Sequence, residues 1–206
     1  MTSRESWLGG FALVALLLVP FGPQGMSGNP QTKSFYDIVR ETTRIPILPP
    51  AWLFGPIWAI LYVLMAVAIV LWSESADTSA WTWLAIWITF AVNVFVNKIW
   101  TPMFFSAQIV AAAVDAVLIL LTAVAVLVFL WLDATSMQRT WATILWSFYV
   151  VWALFASILS IWIATKNSAI QAALKAQKQT NLLLYRKGDV EVSMNGDISI
   201  QKRQRR

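Results

Sequence analysis

The residues that could do chemistry are few, and most of them sit inside apolar sequence. Asp115 is the one carboxylate well inside an apolar stretch. Asn93, Asn97 and Lys98 lie on the stretch before it, and Ser147, Ser157 and Ser160 on the last one. Polar groups at membrane depth mark either function or a structural hydrogen bond, because an unpaired one is costly in hydrocarbon. Asp115 admits both readings: a coupling group, or a carboxyl held near the interface by Asn97 or Lys98 across the short turn near Ser106. For Lys98 the plainer reading is preferred, an aliphatic stem in lipid with its ammonium reaching water. Histidine and cysteine are both absent. That excludes thiolate nucleophiles, disulfides, imidazole bases, His-ligated haem and Cys/His metal sites. The sequence therefore offers no catalytic residue, no metal site and no cofactor.

Tryptophan is the other group of interest, with thirteen in 206 residues. Trp72, Trp81, Trp131 and Trp141 fall at the ends of apolar stretches, where interfacial anchoring accounts for them. Trp58, Trp100 and Trp152 lie further in or beside polar positions. Their flat faces and single N–H donors suit a planar aromatic or steroid-like ligand, and equally suit ordinary packing.

The elements that must position these groups are membrane helices. Of the chain, 59% is hydrophobic and only 12% charged, against about 25% charged in soluble domains. Five apolar stretches stand out, near 6–21, 51–72, 80–105, 107–132 and 140–165. The last four exceed the ~20 residues that cross a bilayer, and the first is marginal. Arg4 followed by an apolar run and small residues also fits a cleaved signal peptide. A Gly-Gly near its start and no clean A-x-A site favour a retained helix. The fold class expected is an all-α membrane protein, a five-helix bundle over residues 1–167, with a basic tail over 168–206.

Gly22 to Pro50 reads as a long loop punctuated by glycine and proline, with a breaker-poor stretch at Thr32–Thr42 that could be a short helix. Pro49 and Pro50 suit a helix start, whereas Pro56 lies deeper and should kink the helix and free a carbonyl. The short connections after it make neighbouring helices antiparallel. Lys33, Arg40 and Arg44 share a face with nine Lys/Arg between Lys166 and Arg206. The positive-inside rule puts that face in the cytoplasm. Residues after Lys166 are helix-prone and read as an extension of the last helix. Asp189–Ile200 alternates around Asn195-Gly196, a hairpin signal, and is as readily disordered. The terminal arginines either meet anionic lipid head groups or are plain solvated charge.

Pro49-Pro50-x-Trp52-x-Phe54-Gly55-Pro56-x-Trp58-x-x-Leu61-Tyr62-x-x-Met65 resembles the signature of the tryptophan-rich sensory protein/translocator protein family, the peripheral benzodiazepine receptors. Further matches follow in order. They are Asn97-x-x-Trp100-Thr101-Pro102-x-Phe104-Phe105, Ala113-x-Asp115, and Tyr149-x-x-Trp152-x-x-Phe155-Ala156-x-x-Leu159 with Asn167; Phe35-Tyr36-Asp37 resembles the family's loop motif. The resemblance covers roughly residues 6 to 167. It implies a five-helix bundle, often a homodimer, with a pocket opening toward the face of the first loop. It implies a porphyrin or sterol ligand bound for sensing, transport or regulation. Light-dependent porphyrin breakdown is the alternative, and a small-solute transporter or scaffold using Asp115 ranks last. Ligand contacts implied by position are Tyr36, Trp52, Trp58, Asn97, Trp100, Asp115, Trp152 and Ala156. Trp58 and Trp152 match the reactive pocket tryptophans. The membrane would be a bacterial inner membrane or that of a mitochondrion or plastid, the partners being lipid and ligand rather than nucleic acid.

The sequence also departs from the family. The loop tryptophan between Tyr36 and the Pro pair is missing, and that segment, Arg44-Ile-Pro-Ile-Leu-Pro-Pro50, is longer, so a different lid is expected. The usual Leu-Asn reads Leu159-Ser160. The glycines for close dimer packing are absent from the third stretch. A cholesterol-type pattern is missing near the end of the fifth stretch and occurs only in the tail, as Leu183-x-Tyr185-x-Lys187.

Overall fold

A computed structural model describes residues 30–74, 78–186, 191–192 and 198–199. The first apolar stretch, 6–21, lies outside the described residues. Four helices among those described are long and apolar enough to cross a membrane. They are α2 (Ala51–Ser73), α3 (Ala80–Phe105), α4 (Ile109–Leu132) and α5 (Met137–Thr165). Ahead of them runs α1 (Pro30–Thr43), and after them α6 (Asn167–Arg186). Beyond α6, β1 (Glu191–Val192) and β2 (Ile198–Ser199) pair antiparallel, Glu191 opposite Ser199. The ladder flanks the Asn195-Gly196 signal.

Local chemistry sets the boundaries. Pro50, extended at φ −64° and ψ 146°, caps α2. Ser79 caps α3 by accepting from the Thr82 amide at 3.1 Å, and Ser136 caps α5 by accepting from the Arg139 amide at 3.3 Å. Such side chains take up amides that the first helical turn leaves unpaired. The Ser136 cap starts α5 three residues before the expected Thr140. Conversely, α4 starts at Ile109 rather than Ala107, because Ala107 adopts φ 62° in the tight corner after α3. The tail does not simply prolong α5. The helix stops at Lys166, whose amide turns back to the Ile163 carbonyl at 2.9 Å, and α6 begins anew at Asn167.

Within the bundle, α3 packs on α4, α4 on α5 and α5 on α2. Their large apolar side chains face outward along every span, as on Ile60, Phe95, Leu121 and Val151. In water such a surface would aggregate; in lipid it is the solvated face. Where helices meet, small residues allow close approach. Ala112, Ala116 and Ala123 of α4 and Ala142 and Ala153 of α5 are buried. The closeness permits cross-helix hydrogen bonds to main-chain carbonyls: Ser157 Oγ donates to Ala116 at 2.7 Å, and Trp146 Nε1 to Ala123 at 2.8 Å.

The core divides in two. One cluster fills the bundle around Met65, Trp72, Phe90, Val126 and Trp146. The second lies at the end where α3 turns into α4 and α5 into α6, gathering Phe35, Tyr36 and Val39 of α1 with Phe104, Ile109, Ile163 and Ile170. At the opposite end, Arg139 is buried and pairs with Asp133 at 3.1 Å. Asp133 Oδ2 also accepts from Trp72 Nε1 at 2.8 Å and Thr78 Oγ1 at 2.9 Å.

Candidate ligand cavity

Between α2, α3, α4 and α5 lies a cavity of about 660 Å³, within the usual range for small-molecule sites. Pro56 supplies no amide to the α2 ladder, and Gly55 has no side chain. Both residues line the void. Trp58 projects from the next turn with Trp152 of α5 facing it, ring centroids 6.4 Å apart and nearly perpendicular. Phe54 packs on the other side of Trp152 at 6.2 Å. From α3, Trp100 stacks on Phe104 at 4.9 Å and 10°. The α5 wall adds Ala153, Ala156, Ser157 and Ser160, whose small side chains leave the space that the tryptophans frame.

The loop-side cap comes from α1 and the turn after it. Arg44, at φ 48°, reverses the chain after α1. Buried Ile45 and Leu48 then follow, and Tyr36 and Leu48 line the cavity. The Tyr36 hydroxyl donates to the Pro49 carbonyl, and its ring lies 5.8 Å from Phe54. Burial raises the Tyr36 phenol above its ordinary value, with Arg40 partly opposing. Phe35 meets Phe104 and Phe105 edge-on at 5.4 and 6.2 Å. The cap is therefore an aromatic lid seated on α2 and α3.

Below Trp58 the interior turns polar. Tyr62 donates to Asn97 Oδ1 at 2.8 Å; Asn97 Nδ2 donates to the Tyr149 hydroxyl at 3.1 Å; Tyr149 donates to Asn93 Oδ1 at 2.9 Å. Asn93 Nδ2 donates in turn to the Ile119 carbonyl and Thr122 Oγ1, at 2.9 and 2.8 Å. One network thus ties all four spans together, and the Trp58 ring rests on it, 5.4 Å from Tyr62 and 6.3 Å from Tyr149.

Of the eight residues expected at the site, Tyr36, Trp52, Trp58, Trp100, Trp152 and Ala156 are on the cavity wall. Trp52 is 71% exposed and so stands at the rim. Asn97 and Asp115 are not on the wall. The amide of Asn97 pairs with Tyr62 and Tyr149. Asp115 is buried at the start of α4, and its Oδ2 has no hydrogen-bond partner among the described residues. The sequence reading missed Leu48, Phe104, Ser157 and Ser160 as wall residues and Tyr62 and Tyr149 as the floor's hydrogen-bonding partners. Both tyrosines stand within the quoted motifs, the only signal that could have marked them. No cluster of three acidic residues able to hold a metal occurs among the described residues.

The described residues form a bundle of apolar, membrane-length helices around an aromatic-walled cavity, the architecture of a multi-span membrane protein. The chain belongs to the TspO/MBR family, whose profile matches residues 12–165. It is 30% identical over 139 residues to the protein CrtK of Rhodobacter capsulatus, covering 63% of this chain and 77% of that one. A tryptophan-rich protein TspO of Chlorobaculum tepidum is 28% identical over 164 residues, 76% of this chain and 94% of its own. Another, from Archaeoglobus fulgidus, is 29% identical over 121 residues, 58% of this chain and 73% of its own.

Proposed function

We propose that the protein binds a porphyrin-type tetrapyrrole or a sterol in the cavity and serves as a membrane sensor, carrier or regulator of that ligand. The observation that carries this reading is the 660 Å³ void with indole walls and few polar groups. A flat, mostly apolar ligand gains by burying its faces against such rings. Trp58, Trp100 and Trp152 are assigned as face contacts, Ala156 as the gap that admits the ring, and Tyr36 and Trp52 as contacts at the lid and rim. Asn97 positions the floor through Tyr62 and Tyr149, and Asp115 is assigned no ligand contact. The charge of Arg40, Arg44, Lys166, Lys175 and Lys178 supports a cytoplasmic lid and tail, in a bacterial inner membrane or an organelle membrane. Homodimerisation is retained as part of the proposal on family grounds alone.

The test is titration of detergent-purified protein with protoporphyrin IX, cholesterol and a carotenoid, following tryptophan fluorescence. Saturable quenching by porphyrin, diminished in the Trp58→Phe/Trp152→Phe double variant, is expected. Quenching that never saturates, or is identical in the variant, defeats the reading. The pairing of Trp58 with Trp152 at 6.4 Å also favours a second activity, light-driven porphyrin breakdown with an indole as electron donor. Illumination that leaves the bound porphyrin spectrum identical to a dark control rejects it.

A further inference from the structure

The family match ends at residue 165, and α6 begins at Asn167. The first turns of this added helix lie against the protein. The helix turns back onto the lid, packing against α1. Ile170 is wholly buried in the cluster that holds Phe35, Tyr36, Val39 and Leu48, and Leu174, one turn on, packs against the same cluster. Positions four apart share a helix face. The opposite face, with Ala172, Ala176 and Gln179, is exposed. Between Ile170 and Leu174 in the chain, Gln171 Nε2 donates to the Ala107 carbonyl at 2.9 Å. Ala107 is the φ 62° residue of the α3–α4 corner. A non-glycine residue held at positive φ is over-determined by its surroundings, and the Gln171 bond is one of the contacts that fix it. The corner in turn carries Phe104 and Phe105, against which the lid residue Phe35 sits.

Two lid residues, Tyr36 and Leu48, therefore belong both to the cavity wall and to the cluster closed by Ile170. We propose that α6 is a latch: it holds α1 down over the cavity and sets the rate at which ligand enters and leaves. The proposal rests on the cavity's being a ligand site. The lid's seat is divided between a transmembrane part, Phe54, Phe104 and Phe105, and a tail part, Ile170 and Gln171. Weakening the tail part lowers the barrier to lid opening without touching a transmembrane wall residue. Ligand passage in both directions then speeds up, while affinity, which reports the closed cavity in both cases, changes less.

The experiment compares the full chain with Ile170→Ala, Gln171→Ala and, as a control on the exposed opposite face, Gln179→Ala. Stopped-flow quenching by protoporphyrin IX measures entry and release, and hydrogen exchange measures opening of residues 35–43 without ligand. Truncating a fully buried isoleucine removes its packing, so Ile170→Ala is expected to speed entry and release tenfold or more. Gln171→Ala is expected to do so severalfold and Gln179→Ala not at all. Exchange should quicken in α1 and stay unchanged in α2–α5, which also shows that the variants are folded. If the unaltered protein binds porphyrin and both α6 variants keep its rates and its α1 exchange, the latch is overturned. If the unaltered protein shows no saturable binding, the ligand reading has failed, and the exchange data alone judge the latch: faster in α1 for it, unchanged against it.

Discussion

Replacing Arg139 with leucine is expected to weaken the bundle at the end away from the lid. The guanidinium is 1% exposed and pairs with Asp133, which is 15% exposed. It also donates to Thr78 Oγ1 at 2.6 Å, Thr135 Oγ1 at 3.1 Å and the Asp133 carbonyl at 3.3 Å. Removing one partner of a buried pair costs about 3–5 kcal/mol, chiefly by stranding the other charge. Here the stranded carboxylate keeps two donors, Trp72 Nε1 and Thr78 Oγ1, and reaches some water. The lower end, about 3 kcal/mol, is therefore expected. At about 2–4 °C per kcal/mol for a chain of this size, the midpoint of thermal unfolding should fall by about 6–12 °C. Unfolding in detergent with added denaturant gives the free energy, and a double-mutant cycle with Asp133→Asn isolates the pair. Asp133→Asn retains an acceptor for Trp72 and Thr78, so the double variant should be less damaged than the two single losses summed. A loss below about 1 kcal/mol, the range of exposed ion pairs, or an additive cycle, would refute the view that this pair fastens the loops.

Two further outcomes follow from the lid and floor. Tyr149→Phe deletes the hydroxyl that joins Asn97 to Asn93 while leaving the ring under Trp58. At ~0.6 and at most ~1.7 kcal/mol per buried bond in membrane bundles, it should cost about 1–3 kcal/mol in detergent unfolding, with little change in porphyrin affinity. Tyr36 is raised by burial, so the seated lid favours the neutral phenol. Lid seating should stay constant below about pH 10, the ordinary phenol value, and weaken above it as the undocked phenol ionises. A difference absorbance titration between the unaltered protein and Tyr36→Phe should show a phenolate appearing above that value. Ionisation at or below it counts against a buried Tyr36.

Hydropathy was enough to place α2–α5 because hydrocarbon demands long apolar runs, and Pro49-Pro50 marked the start of α2 to the residue. The breaker-poor stretch at 32–42 likewise announced α1. What the sequence could not supply was orientation about each helix axis. A span apolar all round has no polar stripe to show which face is inward. Asn97 and Trp100 of α3, three residues apart, were therefore read alike, yet one joins the floor and the other the wall. Asp115, a ligand contact implied by the resemblance, lies buried at the start of α4 and off the cavity wall. The latch helix was invisible for another reason: helix propensity foretells that residues after Lys166 coil, but not that Ile170 returns to meet Phe35 and Tyr36 far earlier in the chain.

The four-helix hydrogen-bond network also bears on how the protein is made. Chains emerge N-terminus first, so Asn93 and Asn97 of α3 reach the bilayer before Thr122 and well before Tyr149. Of the four spans, α3 is the least apolar. During synthesis it carries two amides of whose final partners only Tyr62 of α2 already exists, a state that hydrocarbon penalises. A chain truncated before α5 is therefore expected to hold α3 in the bilayer less firmly than the full chain does.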